Sequence, residues 1–228
     1  GPAGQIVRLA SGSSFGTLDL ATDTTGNAYV LDLGSVAGSG GTVLVNRATG
    51  GAGITHVMGT ATFGNAKLNV QAGANVTSGS PVLELAGITM AAGVTGDGAV
   101  TLNPTTAAIR VTGAITRTGA SANSLVLDGT NTSNIISGAI SGPQTLTKSN
   151  AGTWELSGAN TYSGATTTVT GGTLRIGVDT VGSVGAITSG PFGTGTLTFN
   201  GGTVSSNGTS ARTILNAINF TGNAGHFS

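Results

Sequence analysis

Residues 146–178 read LTKSNAGTWELSGANTYSGATTTVTGGTLRIGV and decide the expected fold. Three short runs in this stretch alternate apolar and polar residues, the pattern of a strand with one buried face. The runs are Trp154–Leu156, Thr166–Thr170 and Thr173–Ile176. Ser-Gly and Gly-Gly pairs separate them, and these residues relieve backbone strain where a chain turns. The stretch leaves no room for a helix, so we expect the chain to wind into stacked coils.

The same stretch resembles a known repeat. The residues that carry the resemblance are Leu146–Lys148, Gly152–Gly164 and Gly171–Leu174. They are similar to the autotransporter-associated β-strand repeat, which occurs in secreted passenger domains of Gram-negative surface proteins. Ser124–Gly129 and Gly193–Val204 resemble the same proteins more loosely, and residues 1–120 share only the style.

The resemblance implies a right-handed parallel β-helix at the surface of a Gram-negative bacterium, anchored to the outer membrane through a part outside this chain. The repeat is structural and transfers no catalytic residue, cofactor site or metal ligand. Its motif positions are Trp154, Leu156, Gly158, Asn160, Thr161, Tyr162, Gly164, Gly172, Leu174 and Ile176. Because Trp154 and Leu156 flank one polar residue in a strand, both are expected to pack in the core.

The composition supports an all-β fold with little or no helix. The 228 residues include 41 Gly and 38 Thr but only 8 basic and 8 acidic residues, whereas charged residues make up about 25% of an average protein. Val, Leu, Ile and Ala in short alternating runs indicate a narrow packed core. A net charge of zero without a basic cluster argues against nucleic acid or an anionic membrane as a partner. The absence of Cys excludes disulfides and thiolate metal sites.

Apolar–x–apolar pairs recur along the whole chain and mark the expected inward positions. The pairs are Leu18/Leu20, Leu31/Leu33, Val43/Val45, Leu68/Val70, Leu83/Leu85, Val100/Leu102, Ile109/Val111, Leu125/Leu127, Trp154/Leu156, Leu174/Ile176 and Leu197/Phe199. Their uneven spacing predicts two or three strands per coil and about ten coils of roughly 20–25 residues. Lys148 takes the second inward position after Leu146, so that strand is expected to be shifted or to lie at an edge.

The whole chain, residues 1–228, is expected to form one continuous β-helix segment excised from a longer protein. Gly1-Pro2 is interpreted as the scar of tag removal, with natural sequence as the alternative. No run approaches the roughly 18 apolar residues of a membrane span, so direct membrane insertion is not expected. Open strand edges at the ends of such a rod invite strand addition, which predicts end-to-end association.

Sites for nucleophilic or metal chemistry are weakly supported. Ser14 lies in a G-x-S-x-G pattern, but that motif requires a following helix and a His base, and Thr17–Leu20 has the pattern of a strand. His56 is expected on the outer face opposite Val57, and His226 is expected to be solvated. Neither histidine has a second ligand nearby in the sequence.

Carboxylates are the main candidates for an enzyme, because glycosidases need two of them close together. The candidates are Asp19, Asp23, Asp32, Glu84, Asp97, Asp128, Glu155 and Asp179. Stacking could align Asp19 with Asp32, although solvated outward positions are the simpler interpretation. Gly96-Asp97-Gly98 is a single instance of a calcium-coil pattern that must recur in successive coils, so a turn is expected there.

Threonine pairs and aromatic rings offer two further possibilities. Thr-x-Thr occurs at Thr22/Thr24, Thr60/Thr62, Thr116/Thr118, Thr130/Thr132, Thr145/Thr147, Thr166/Thr168 and Thr196/Thr198. An ice-binding face would need an even lattice, and the uneven spacing favours ordinary β-propensity. The nine aromatic residues form no row at strand spacing, which argues against a dedicated sugar-stacking groove.

The sequence therefore predicts a non-catalytic stalk segment that supports vectorial folding during secretion and surface display. Three alternatives remain open. An adhesive or self-associating role would use rod ends or faces, a ligand on a host or neighbouring cell would use a specialised face, and a polysaccharide-active enzyme would use paired carboxylates.

Overall fold

The computed structural model describes residues 4–9, 15–26, 29–34, 38–91, 98–117, 124–222 and 224–228. These residues form strands and turns without a helix, which confirms the all-β prediction. The strands are β1 Ile6–Arg8, β2 Phe15–Ala21, β3 Val30–Asp32, β4 Ser39–Asn46, β5 Gly51–Ala52, β6 Thr55–Phe63, β7 Ala66–Ala72, β8 Val76–Ser78, β9 Val82–Met90, β10 Ala99–Pro104, β11 Ala108–Val111, β12 Ile115–Arg117, β13 Ser124–Leu127, β14 Asn134–Ile136, β15 Thr145–Lys148, β16 Thr153–Leu156, β17 Thr166–Val169, β18 Thr173–Ile176, β19 Val181–Ser183, β20 Ala186–Ser189, β21 Thr196–Phe199, β22 Thr203–Ser206, β23 Ile218–Phe220 and β24 His226–Phe227.

Two long parallel sheets run along the molecule. The eleven-strand sheet has the order β1-β3-β6-β9-β11-β14-β16-β18-β22-β24, with β12 beside β9, and the nine-strand sheet has the order β2-β4-β7-β10-β13-β15-β17-β21-β23. Neighbours in each sheet come from successive passes of the chain, so each coil adds a strand to both sheets. This arrangement is a parallel β-helix, as predicted; its right-handed sense, its coil number and its unity from residue 1 to 228 stay predictions.

Strands β6 and β9 supply a short third side. Their inward alternation changes phase near the middle, so that Met58 and Ala61 are both buried three residues apart. Beyond this point Ile88 of β9 lies opposite Ile115 of β12, and Ile115 bridges to Ile140 in the next coil. The cross-section therefore combines two long sheets with a third line of buried aliphatic side chains, in agreement with two or three strands per coil.

The core is a single column of aliphatic side chains between the sheets. Every member of the predicted apolar pairs is buried except Leu18, which is partly buried and packs against the core. The ladders place like on like, with Leu125 opposite Leu146 and Trp154 opposite Leu174. Each coil covers the side chains of its neighbours, because one coil alone has too little apolar surface to fold.

The prediction for the strand at Lys148 is wrong. β15 lies inside the nine-strand sheet, between β13 and β17, and its register is unshifted: Leu127 faces Lys148, which faces Val169. The Lys148 side chain points inward and is fully buried. Its ammonium group can be buried there because it donates hydrogen bonds to three backbone carbonyls.

A short antiparallel hairpin interrupts the parallel pattern after the recognised repeat. Strands β19 and β20 pair only with each other, and Val184 at their turn is 81% exposed. In the described part of the chain there is no helix that could span a membrane.

The repeat segment as candidate functional site

Stacked glycines set the distance between coils on one side of the rod. Gly113, Gly138 and Gly158 follow one another in successive coils. A Cβ on Gly158 would lie 2.3 Å from the carbonyl oxygen of Gly138, and one on Gly138 would lie 1.8 Å from that of Gly113. Both separations are far below any real carbon–oxygen contact. Glycine is therefore required here by close backbone approach.

Asn160 ties three segments together from a fully buried position. Its Oδ1 accepts a hydrogen bond from the amide of Ile140 in the preceding coil at 2.8 Å, and its Nδ2 donates to the carbonyl of Pro191 at 2.9 Å. Its backbone also exchanges two hydrogen bonds with Gly190. Because each buried polar group has a partner, the asparagine stabilises the turn instead of weakening the core.

Tyr162, two residues after Asn160, is also fully buried. Its hydroxyl shares a hydrogen bond with the Thr167 hydroxyl at 2.5 Å. Burial raises the pKa of Tyr162 well above its ordinary value, and the bond to Thr167 opposes the rise only in part. The phenol therefore stays neutral and serves as a packing group with one satisfied polar end.

Lys148 is held by carbonyl oxygens at the opposite turn. Its Nζ donates to the carbonyls of Ser149 at 2.5 Å, Asn150 at 2.8 Å and Gly171 at 3.1 Å. Burial lowers the pKa of Lys148 to about 8, while the negative charge of Asp128 acts in the other direction. Asn150 has a φ of 55°, a left-handed conformation that aims its carbonyl at the ammonium group.

Asp128 connects this turn with the preceding coil. Its carboxylate accepts hydrogen bonds from Ser149 and Asn150 and pairs with Lys67 at 3.5 Å. Burial raises the pKa of Asp128, but the hydrogen bonds from Ser149, Asn150 and the Gly129 amide, together with the charge of Lys67, outweigh it and lower the pKa overall. The Asp128 carbonyl accepts the indole N–H of Trp154 at 2.9 Å.

The remaining motif residues divide between core and turns. Trp154, Leu156, Leu174 and Ile176 are buried, as the alternation predicted. Gly164 lies against the Gln144 carbonyl and Gly172 has a φ of 61°, so each needs glycine for a backbone reason. The Thr161 side chain is exposed, and only its amide takes part, by donating to the Ile140 carbonyl at 2.9 Å.

A column of charged side chains lies on the outer face of the eleven-strand sheet. Strand register places Glu84, Arg110, Ile135, Glu155 and Arg175 side by side on β9, β11, β14, β16 and β18. A shallow groove of about 300 Å³ is lined by Arg110, Ile135, Glu155 and Arg175 but not by Glu84. We call these five residues the charged column. Sequence inspection missed it, because the residues become neighbours only when the coil lengths between them are known.

The prediction for His56 is wrong. The side chain is fully buried rather than on the outer face, and the outward residue is Val57. One ring nitrogen, Nε2, lies 2.7 Å from the carbonyl oxygen of Asn46, which allows the imidazole to occupy an inward position. His226 is exposed, as predicted.

The alignment of Asp19 with Asp32 is also not found. Asp19 lies in the nine-strand sheet, whereas Asp32 lies in the eleven-strand sheet and pairs with Arg8 at 2.7 Å. Like Asp32, every other carboxylate that the structure describes has a partner within the chain. The pairs are Asp19 with Asn46, Asp23 with Arg47 and Thr49, Glu84 with Arg110, Asp128 with Lys67, Glu155 with Ser157 and Asn207, and Asp179 with Arg212 and Thr213.

Metal chemistry finds no support in the described ranges, where no three His, Cys, Asp or Glu side chains are grouped closely enough to hold an ion. Ser14 and Asp97 lie outside the described residues, so their predicted roles stay predictions. The same is true of Gly1-Pro2.

Three threonine pairs form a regular patch despite their uneven spacing in the sequence. On β15, β17 and β21, Thr147 faces Thr168, which faces Thr198, and Thr166 faces Thr196. The expectation of an uneven array is therefore wrong for these strands, since loops of different length restore the register. Val126 and Asn219 replace threonine on the neighbouring strands, so the patch is only three strands long.

The fold and its turns define a parallel β-helix. A comparison with protein-family models matches residues 146–176 to the passenger-associated-transport-repeat. Comparisons with curated proteins and with solved structures found no match. A repeat of this family indicates a secreted or cell-surface protein of Gram-negative bacteria.

Proposed function

We propose that this chain is a non-catalytic stalk segment of an autotransporter-like surface protein that is anchored in the outer membrane through another part. The observation that carries the proposal is the passenger-type repeat at residues 146–176, embedded in register within two continuous parallel sheets. Such a rod holds whatever lies beyond it away from the membrane.

The contacts between coils supply a mechanism for secretion. The Asn160 carboxamide and the glycine stack both use the backbone of the coil before them. Each arriving coil therefore completes its hydrogen bonds only against a folded neighbour, and stability accumulates one interface at a time. Folding outside the membrane then opposes backward movement of the chain.

The proposal is tested by placing the chain between an N-terminal epitope and a heterologous autotransporter translocator. The wild-type segment should present the epitope at the cell surface, measured by flow cytometry of intact cells. Gly158→Ala should reduce display, whereas Gly208→Ala, whose Cβ would meet no atom within 4 Å, should not. Equal display by all three, with Gly158→Ala shown to be unfolded by circular dichroism, would refute a role of coil stacking in secretion.

A polysaccharide-active enzyme is the less favoured alternative. Each described carboxylate has a hydrogen-bond or ion-pair partner within the chain, and nothing in these contacts favours the paired carboxylates that glycosidases use. An adhesive role has one specific observation in its favour, the charged column.

A further inference from the structure

The charged column concentrates charge on a surface that has little of it. Both glutamates of the chain and two of its eight basic residues stand on five neighbouring strands. Ile135 occupies the centre and is partly exposed, although it points outward. Ile135 thus places one apolar side chain between the two charged pairs of the column.

Only some of the charged groups of the column have a partner within the chain. Arg110 pairs with Glu84 at 3.2 Å, and Glu155 accepts hydrogen bonds from Ser157 and Asn207. Arg175 is exposed and forms no ion pair with the carboxylates that the structure describes. The column therefore retains charge that can act on a partner.

The order of the column is complementary to its own reverse. Along the rod the residues run Glu84, Arg110, Ile135, Glu155, Arg175. A two-fold axis that passes over Ile135, parallel to the strands, turns a second copy end over end. It places Glu84 opposite the second copy's Arg175, Arg110 opposite its Glu155, and Ile135 on Ile135.

We infer that two copies of this chain pair side by side and antiparallel through the charged column. A two-fold interface must be self-complementary, and this column meets that condition. The parallel alternative, with the axis along the rod, places Glu84 on Glu84 and Arg110 on Arg110. Like charges in contact disfavour that orientation, so the same residues select one arrangement and reject the other.

The contact is small, and weak association follows. Strands about 4.8 Å apart give the column a length of about 19 Å, and stable interfaces bury far more area than this stripe offers. Pairing is therefore expected near the millimolar concentrations that tethered molecules reach. The pairing goes beyond the stalk role, since a rod that never pairs would still display a distal region.

Sedimentation equilibrium up to about 1 mM protein, at low and high salt, tests the pairing. The wild-type chain should shift from monomer to dimer in about 0.05 M NaCl and return to monomer in about 0.5 M NaCl, where the Debye length is only about 4 Å. Arg175→Glu turns two attractive contacts per dimer into repulsive ones and should weaken association at least tenfold. Arg8→Glu, which changes the net charge equally outside the column, should not.

A fourfold charge exchange makes the test independent of single-site effects. Glu84→Arg, Arg110→Glu, Glu155→Arg and Arg175→Glu together keep every pair of the antiparallel dimer complementary, so this variant should dimerise with itself as wild type does. A wild-type monomer at every concentration, or equal association by Arg175→Glu and wild type, would overturn the inference. So would a fourfold variant that stays monomeric where wild type dimerises. Masses that grow beyond a dimer and are unaffected by Arg175→Glu would also overturn it, because they indicate association through rod ends.

Discussion

Two parts of the rod share one core pattern but have coils of different length. In residues 38–117 the strands β4, β6, β7 and β9 have seven to nine residues, and Val43 faces Val70, 27 positions later. In residues 124–176 the strands have three or four residues, and Leu125 faces Leu146 after only 21 positions. Both parts present alternating aliphatic residues to the same core. The difference teaches that one core pattern accepts coils of 27 and of 21 residues, and that the longer coils take up their extra residues in longer strands.

The turns of the two parts differ in their chemistry. The short coils close with stacked glycines and a buried asparagine. Side chains that reach between turns occur in both parts: Arg47 and Thr49 hold Asp23, and Ser149 and Asn150 hold Asp128. The Thr49 hydroxyl is the main cause that lowers the pKa of Asp23, with Arg47 contributing less. A family signature is therefore visible only where turn geometry leaves little choice of residue.

The largest expected effect comes from filling the glycine stack where the two parts meet. Gly138→Ala should lower the free energy of unfolding by about 3 kcal/mol or more, because the new methyl group pushes the coils apart. Gly158→Ala should cost somewhat less, since its contact is 2.3 Å rather than 1.8 Å. Urea unfolding followed by circular dichroism measures both. A loss no greater than that of the open position Gly208→Ala would show that the coils can separate freely.

Removing the buried asparagine should have the next largest effect. Asn160→Ala leaves the Ile140 amide and the Pro191 carbonyl without their partners and should cost about 2–3 kcal/mol. The neighbouring Thr161→Ala removes only an exposed side chain and should change stability by less than about 0.5 kcal/mol. If the two variants unfold at the same urea concentration, the carboxamide does not connect the coils.

Replacing the buried ammonium group of Lys148 should lower the free energy of unfolding by about 2 kcal/mol. Lys148→Met keeps the volume but leaves the carbonyls of Ser149, Asn150 and Gly171 without their donor. The matched change in the same sheet is Lys67→Met, which removes a half-exposed cation and should cost about 0.5 kcal/mol. A Lys148→Met variant as stable as wild type would show that the carbonyls find water instead.

The smallest expected effect is the pH dependence of this lysine. Its pKa is about 8 in the folded chain and near its ordinary 10.5 when unfolded, so between these values the unfolded state binds more protons. Stability should therefore rise as pH increases from 8 to 9, by about 1 kcal/mol. Lys148→Met should lack this rise in thermal unfolding over the same pH range. A wild-type curve that is flat or falls would contradict the folded-state pKa.

The core was predictable from sequence because its signal is local. Alternation across one residue identified pairs such as Leu83/Leu85 and Leu125/Leu127, and these face inward in the structure. The rule that polar residues face outward failed at His56 and Lys148. It takes no account of backbone carbonyls inside the coil that can accept hydrogen bonds from these side chains. Backbone carbonyls satisfy both side chains: that of Asn46, 10 positions away, lies against His56, and those of Ser149, Asn150 and Gly171 accept from Lys148.

Features that depend on register were beyond the sequence. The charged column requires that Glu84 and Arg110 be 26 positions apart while Glu155 and Arg175 are 20 apart. Nothing in a single strand reveals those offsets. The threonine patch was missed for the same reason, because loops of unequal length bring the pairs into line.

The hairpin formed by β19 and β20 has a consequence for building on this rod. It lengthens one coil to 30 residues, yet Leu174 still faces Val204 and the ladders continue undisturbed. The chain thus branches sideways at one level without altering the levels above and below. A peptide inserted between Val184 and Gly185, at the exposed tip, would project at a fixed height along the axis. The hairpin is therefore an insertion site at a defined level of the rod.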